Sequence, residues 1–211
     1  MAESTDSGSP TASHINSKLE SKRLFVGIPI VPTESLLAAI KRTKISADKK
    51  GMEFYWSPAG NFHLTLFFLG NTETGRLAEL ERLLAEIASM STPIKTSLKG
   101  MGGFPDLHHL RVLYIGVRKS RSLAETQARV AEMLLACGFG QPEDREYVPH
   151  LTIGRLRKSR SSVDLISPHV RTSFGDVEAG ELVLFESVKH GAQPVYIPLG
   201  RYPLTGIDAA L

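Results

Sequence analysis

The chain has 211 residues, 42% of them hydrophobic and 22% charged, and a net charge of +3. That composition excludes a disordered chain or a coiled coil, suits one domain or two small lobes, and tolerates an anionic partner without demanding one. The single cysteine, Cys137, excludes an internal disulfide framework and a Cys-based zinc site, and a reducing cytoplasm is the expected compartment.

Residues 1–21 are rich in Ser and Thr and lack an apolar stretch, so they read as a disordered tail followed by one domain over 22–205. No apolar run approaches a membrane span. The strand-like "RLFVGIPI" covers Arg23 to Ile30, and a helix is expected from Thr33 to Arg42 after Pro32. Short strands follow at Met52 to Trp56 and His63 to Leu69. "TETGRLAELERLLAEIASM" is the clearest helix, because Leu77, Leu80, Leu84 and Ile87 recur at helical spacing. A strand from Ile94 to Met101 leads into the loop "GGFPDLHH".

The pattern then restarts. "RVLYIGV" from Arg111 echoes "RLFVGI", and a helix follows with Ser122 and Glu125 at capping-box spacing and Gly138 at the C′ position. "HLTIGRL" comes next, then a short helix near Asp164 and a strand from Glu181 to Val188. His63 and His150 stand 87 residues apart, Arg23 and Arg111 stand 88 apart, and Ile94 and Glu181 stand 87 apart. A near-constant offset over three elements indicates an internal duplication, too long in period for a solenoid. The expected architecture is α+β and bilobal, with pseudo-twofold symmetry. Each lobe is a mostly antiparallel sheet with helices on its outer face, and a cleft lies between the lobes. The lobes are built around 23–104 and 111–189, with room for strands to exchange between them.

The phrase His-Leu-Thr-apolar occurs once in each half, at His63 and at His150. Alternation along a strand puts His63 and Thr65 on one face, and likewise His150 and Thr152, with the apolar residues turned into the core. Two imidazoles can supply a base and an acid in one turnover near neutral pH, and two hydroxyls can donate to anionic oxygens. A phosphodiester needs this set of groups. A lone histidine in an apolar strand is usually just accommodated; two copies at matching places in a duplication argue for a shared site.

These paired His-x-Thr-apolar motifs resemble the 2H phosphoesterase superfamily, and within it the RNA 2′,3′-cyclic phosphodiesterases, also called 2′-5′ RNA ligases. The resemblance extends over "RLFVGIPI", "NFHLTLFFLG", the "GGFP" loop, "RVLYIGV", "EYVPHLTIGRLR" and "LVLFESVKHGAQPVYIPLGRYPL". It implies an RNA-processing hydrolase that opens 2′,3′-cyclic phosphate ends to 2′-phosphates with no cofactor and no metal. By the same resemblance His63 is the general acid, His150 the general base, and Thr65 and Thr152 hold phosphate oxygens. The implied partner is RNA with such an end, for example tRNA fragments or short oligonucleotides, bound by a monomer without a membrane. Alternatives are ATP-independent 2′-5′ RNA ligation, hydrolysis of a small cyclic nucleotide, and a non-catalytic RNA-end binding module.

One position departs from the family string "HLTLKFLG", because Phe67 stands where many relatives have Lys. Strict alternation puts Phe67 on the His63 face, either as a stacking surface for a base or ribose or as packing against the other lobe. The resemblance gives Arg155 an anion contact, yet alternation turns it away from His150 unless a bulge near Gly154 re-aims it. The basic runs at 118–121 and 155–160 are either an RNA backbone track or solvated surface. Tyr55 and Trp56 are candidates for stacking or for the core. No substrate role is expected for His108 or His109, and no partner is apparent for His14, His169 or His190. "KGMGGF" lacks the Lys-Ser/Thr of a P-loop, so ATP use is not expected.

Overall fold

A computed structural model describes residues 20–158, 163–191 and 193–207. Residues 1–19 of the expected tail lie outside the described residues, and Ser21 is already the first residue of a strand. In chain order the strands are β1 (Ser21–Pro29), β2 (Glu53–Trp56), β3 (His63–Glu73), β4 (Ile94–Phe104), β5 (Val112–Val117), β6 (His150–Lys158), β7 (Ser173–Ala179), β8 (Glu181–His190) and β9 (Gln193–Pro203). The helices are α1 (Glu34–Lys49), α2 (Leu77–Ser89), α3 (Arg121–Ala136) and the single turn α4 (Val163–Ile166). No helix among the described residues is long and apolar enough to cross a membrane.

Among the described residues the nine strands join one antiparallel sheet in the order β7-β4-β5-β6-β3-β1-β8-β9, with β2 paired to β6. The order is palindromic under the duplication, since β1 matches β5, β3 matches β6 and β8 matches β4. The two lobes are therefore β3-β1-β8-β9 and β6-β5-β4-β7, and each half of the chain gives its third strand to the other lobe. Between the lobes the strands pair at one position, Leu64 with Leu151. Those two residues are themselves equivalent, 87 positions apart, so the pseudo-twofold axis passes between them. A two-lobed α+β fold with mostly antiparallel strands is what the sequence led us to expect, and the exchange of β4 and β8 is its main elaboration.

Several local signals resolve differently from their sequence expectation. α1 runs on to Lys49, well past Arg42, because Thr43 and Ala47 continue the buried stripe through a polar-looking segment. The cap of α3 is Ser120, whose hydroxyl accepts from the Leu123 amide at 3.3 Å; Ser122 lies inside the helix and Glu125 pairs with Arg121. The expected end of α3 holds: Gly138 has φ +73°, its amide donates to Leu135, and the Phe139 amide donates to Leu134. This closes the orphan carbonyls of the last turn. β7 and β9 had no clear strand signal. Glycine and aspartate interrupt β7, and β9 carries Pro194, Pro198 and Gly200, which a strand at the end of a sheet tolerates.

Helices α2 and α3 pack against one another, α2 also against β9 and α3 against β3 and β4. The buried stripe of α2 comprises Leu80, Leu83, Leu84, Ile87 and Ala88. Arg76, just before α2, donates to the Cys137 carbonyl at 2.8 Å and lies 3.9 Å from the Phe139 ring centre, so it locks the end of α3 to the start of α2. The turn beyond α3 then passes over β3. A Cβ on Gly140 would sit 2.5 Å from the Phe67 ring and 2.9 Å from the Phe68 carbonyl, whereas one on Gly138 would meet nothing. Gly138→Ala should therefore cost only the left-handed backbone term of about 1–2 kcal/mol. Gly140→Ala, with φ +72° and a collision added, should cost clearly more; urea midpoints of the two variants check the order.

Candidate active site

Antiparallel pairing through Leu64 and Leu151 dictates what stands around them. Extending that register by one residue sets His63 opposite Thr152 and Thr65 opposite His150. The leucines turn into the core, at 1% and 0% exposure, so the four polar side chains share the other face. The strands pair at one residue and then part, which opens a narrow cleft of about 80 Å³. His63, Thr65, His150, Thr152 and Arg155 line it together with Tyr55, Asn61, Phe68 and Tyr196. The structure thus brings together all four residues of the repeated phrase.

Each imidazole is held the same way. His63 Nδ1 lies 2.7 Å from the Asn61 carbonyl, and His150 Nδ1 lies 2.8 Å from the Val148 carbonyl. A carbonyl only accepts, so Nδ1 carries the proton and Nε2 is the titrating nitrogen. The backbone bonds of the residues that follow, Phe62 and Pro149, are also duplicated. The Ile30 amide donates to Phe62 at 2.9 Å and the Val117 amide donates to Pro149 at 3.1 Å. Each ring has its own aromatic wall. Phe25, Phe185 and Tyr196 surround His63 at 4.9, 5.6 and 4.8 Å between ring centres. Phe104 and Tyr114 surround His150 at 4.8 and 5.4 Å. A cross-lobe bond from the Tyr147 hydroxyl to the Thr65 carbonyl, 3.0 Å, ties the His150 strap to β3.

Burial is the main reason both histidines titrate below the usual imidazole value. For His63 the Asn61 carbonyl opposes the shift, while the charges of His150 and Arg155 add to it. For His150 the Val148 carbonyl opposes it and Arg155 adds to it. The Arg155 guanidinium therefore exerts its field on both rings. Burial likewise pushes the Tyr114 and Tyr147 hydroxyls up.

A one-residue bulge follows the Thr in both strands. In β3 Gly27 pairs with Thr65 and Val26 with Phe67, so Leu66 is the extra residue; in β6 Tyr114 pairs with Thr152 and Leu113 with Gly154, so Ile153 is extra. Each bulge inverts the alternation beyond it. Phe67 consequently leaves the His63 face and is buried at 7% exposure, while Phe68, 55% exposed, takes the cleft position. The placement of Phe67 by strict alternation is thus corrected. The same inversion carries Arg155 into the cleft, and Phe68 and Arg155 are equivalent, 87 residues apart. The bulge near Gly154 is the circumstance under which the sequence allowed Arg155 to reach the site.

Other candidates fall elsewhere. Tyr55 faces the cleft beside Arg155, its partner across β2 and β6, whereas Trp56 packs on Phe54 and the core. Arg157 pairs with Glu53. Residues 159 and 160 of the second basic run lie outside the described residues, as does His14. Arg118 and Lys119 line a separate cavity of about 670 Å³ with Lys95 between β4, β7 and the start of α3, which contains none of the cleft residues. His108 and His109 are exposed in a loop capped by Asp106. Phe25, Phe68, Phe104, Tyr114 and Tyr196 escaped the sequence reading. Phe68 alone had a usable signal there, its offset of 87 from Arg155.

Two outcomes follow from this geometry. The unfolded chain takes up protons near pH 6.5 while the folded histidines resist them, so folding stability should fall as pH drops through about 6.5 and level off below the folded values. Urea midpoints at pH 7.5 and 5 should differ less in the His63→Gln/His150→Gln double variant than in the parent. Phe67→Ala should cost about 3–5 kcal/mol as a buried aromatic truncation. Phe68→Ala should leave the urea midpoint nearly unchanged.

Residues 32–190 match the 2′-5′ RNA ligase superfamily. The RNA 2′,3′-cyclic phosphodiesterase of Archaeoglobus fulgidus is 34% identical over 177 residues, 82% of this chain and 96% of that protein. The protein of the same name from Methanocaldococcus jannaschii is 33% identical, over 82% of this chain and 96% of its own. Among solved structures, a Thermus thermophilus protein, TT0787, superposes with a TM-score of 0.69 at 26% identity, covering 87% of this chain and 98% of that one. Escherichia coli LigT complexed with 3′-AMP superposes at 0.67 and 23% identity, covering 88% and 99%, and shares the fold. With the match spanning both His-x-Thr strands, the chain belongs to the 2′-5′ RNA ligase superfamily.

Proposed function

We propose that this chain is an RNA 2′,3′-cyclic phosphodiesterase that needs no metal and forms a 2′-phosphate. The observation that carries the reading is the pair of imidazoles, one per lobe, each with Nδ1 bound to a backbone carbonyl and both lining one cleft. The names of the relatives above point the same way.

In-line displacement at phosphorus puts the entering and leaving oxygens on opposite sides, and one imidazole from each lobe suits that demand. His150 Nε2 takes a proton from water as the water oxygen bonds to phosphorus. The P–O3′ bond breaks, and His63 Nε2 gives its proton to the departing O3′. Each proton transfer contributes about 10²–10⁴-fold. Thr65 and Thr152 donate to the non-bridging oxygens, and Arg155 stabilises the charge that builds on them. Burial, with Arg155 adding to it, favours the neutral form of the base His150, while the bound phosphate's own charge favours the protonated acid at His63. Phe68 and Tyr196 offer faces on which the terminal base can stack, at about 1–3 kcal/mol per base. Among the described residues no three His, Cys, Asp or Glu side chains gather as metal ligands do. One chain supplies both histidines, so a monomer is a complete catalyst.

Incubation with a short RNA ending in a 2′,3′-cyclic phosphate, in EDTA from pH 5 to 9, tests the reading. Expected are a 2′-phosphate product, a bell-shaped rate profile whose two apparent values belong to the pair, and loss of turnover in His63→Ala and in His150→Ala. Arg155→Ala should lower kcat more than it raises KM. End-binding without turnover in the parent protein would replace the enzyme by a binding module.

A further inference from the structure

The two sides of the cleft differ in how they are tied across the lobe junction. Strand pairing between the lobes is confined to Leu64 and Leu151, so Thr65 and His150, one residue further on, have no rung between them. The Thr65 carbonyl instead accepts the Tyr147 hydroxyl at 3.0 Å, a bond that spans 82 residues of sequence. Leu66, which follows, is the extra residue of the β3 bulge, so β1 does not fix this peptide as a regular ladder would. Tyr147 itself is anchored. Its ring packs on the core, and with His150 it borders a hollow against Ala131 and Leu135 of α3. The strap from Tyr147 to His150 is held by the bond from the Val117 amide to Pro149. Burial keeps the hydroxyl protonated, and so a donor, well above neutral pH. The equivalent of Tyr147, 87 residues earlier, is Gly60, which has no side chain to reach across. A Cβ there would meet nothing, so no neighbour demands the glycine. Thr65 is thus braced to the His150 side, and Thr152 lacks the matching bond to the His63 side.

We propose that Tyr147 is a positioning residue for the phosphoryl chemistry: its hydroxyl holds Thr65 at a fixed place relative to His150. The donor to a non-bridging oxygen and the base that acts on water then move as one body. The assignment rests on the cyclic-phosphate reading above. Tyr147 acts through Thr65 and touches neither phosphate nor water. A misplacement of about 1 Å in a positioning group can cost on the order of 10²-fold in rate. Thr152 and Arg155 also hold the phosphate, so loosening Thr65 costs the alignment at phosphorus more than it costs affinity. The brace makes a site of twofold geometry mechanically one-sided, with the stiffer half on the side of the base.

Tyr147→Phe tests this, since it removes the donor and keeps the ring. On a short RNA ending in a 2′,3′-cyclic phosphate, kcat should fall about tenfold while KM stays within about twofold of the parent. The loss should pass through Thr65. In a Thr65→Val background, Tyr147→Phe should change the single-turnover rate by less than about twofold, whereas in a Thr152→Val background it should still cost about tenfold. An unchanged kcat would make the bond a strut of the fold and overturn the assignment. A raised KM with kcat intact would make Tyr147 a substrate contact and do the same. Equal losses in the two threonine backgrounds would mean a general loosening of the cleft, which also overturns it. So would a thermal melt with Tyr147→Phe unfolded at the assay temperature, because the bond would then serve the fold rather than the threonine. A parent protein that leaves the cyclic phosphate intact would instead overturn the underlying reading, and this one with it.

Discussion

Everything at the site hangs on one residue pair. Leu64 and Leu151 are equivalent positions of a duplicated unit, and they pair with each other. Self-pairing of equivalents creates a twofold relation, and the antiparallel register then sets each histidine against the other lobe's threonine. Because both leucines are fully buried, neither strand can slip by one residue without turning its leucine to water and its histidine to the core. The same burial that secures the fold thus secures the positions of the four polar groups.

The chemistry is tuned by features one layer out. Backbone carbonyls two residues before each histidine hold Nδ1, which leaves Nε2 as the nitrogen able to titrate. The aromatic walls withhold water from both rings and so lower their proton affinity, and Arg155 acts on both in the same direction. Symmetry of position does not bring symmetry of environment. Phe68 and Arg155 occupy equivalent places with opposite chemistry, an apolar face on one side and a cation on the other. A twofold scaffold thereby presents two chemically different ends within one cleft.

The exchange of third strands has a mechanical consequence. β4 belongs to the first half of the chain but builds the second lobe, and β8 does the converse. Neither lobe can complete its sheet without chain from the other half, so the cleft cannot come apart as two independently folded pieces. The α2–α3 contact, locked by Arg76 at the end of α3, braces the same junction from the outer side.

Much was legible in the sequence. The offset of 87 exposed the duplication, the repeated phrase exposed the histidines and threonines, and alternation was enough to set their shared face, because strand period is a local property of the backbone. The Gly138 cap was readable for the same reason: its left-handed conformation is a demand of the turn itself. What the sequence left undecided about the site involved residues far apart in the chain. The bulges at Leu66 and Ile153 appear only when β3 is laid against β1 and β6 against β5, and they decide that Phe68 rather than Phe67, together with Arg155, lines the cleft. The crossing of β4 and β8, and the closeness of α3 to His150, likewise exist only once the lobes are joined. Periodicity determined which side chains can share a face; pairing between distant strands determined which of them meet.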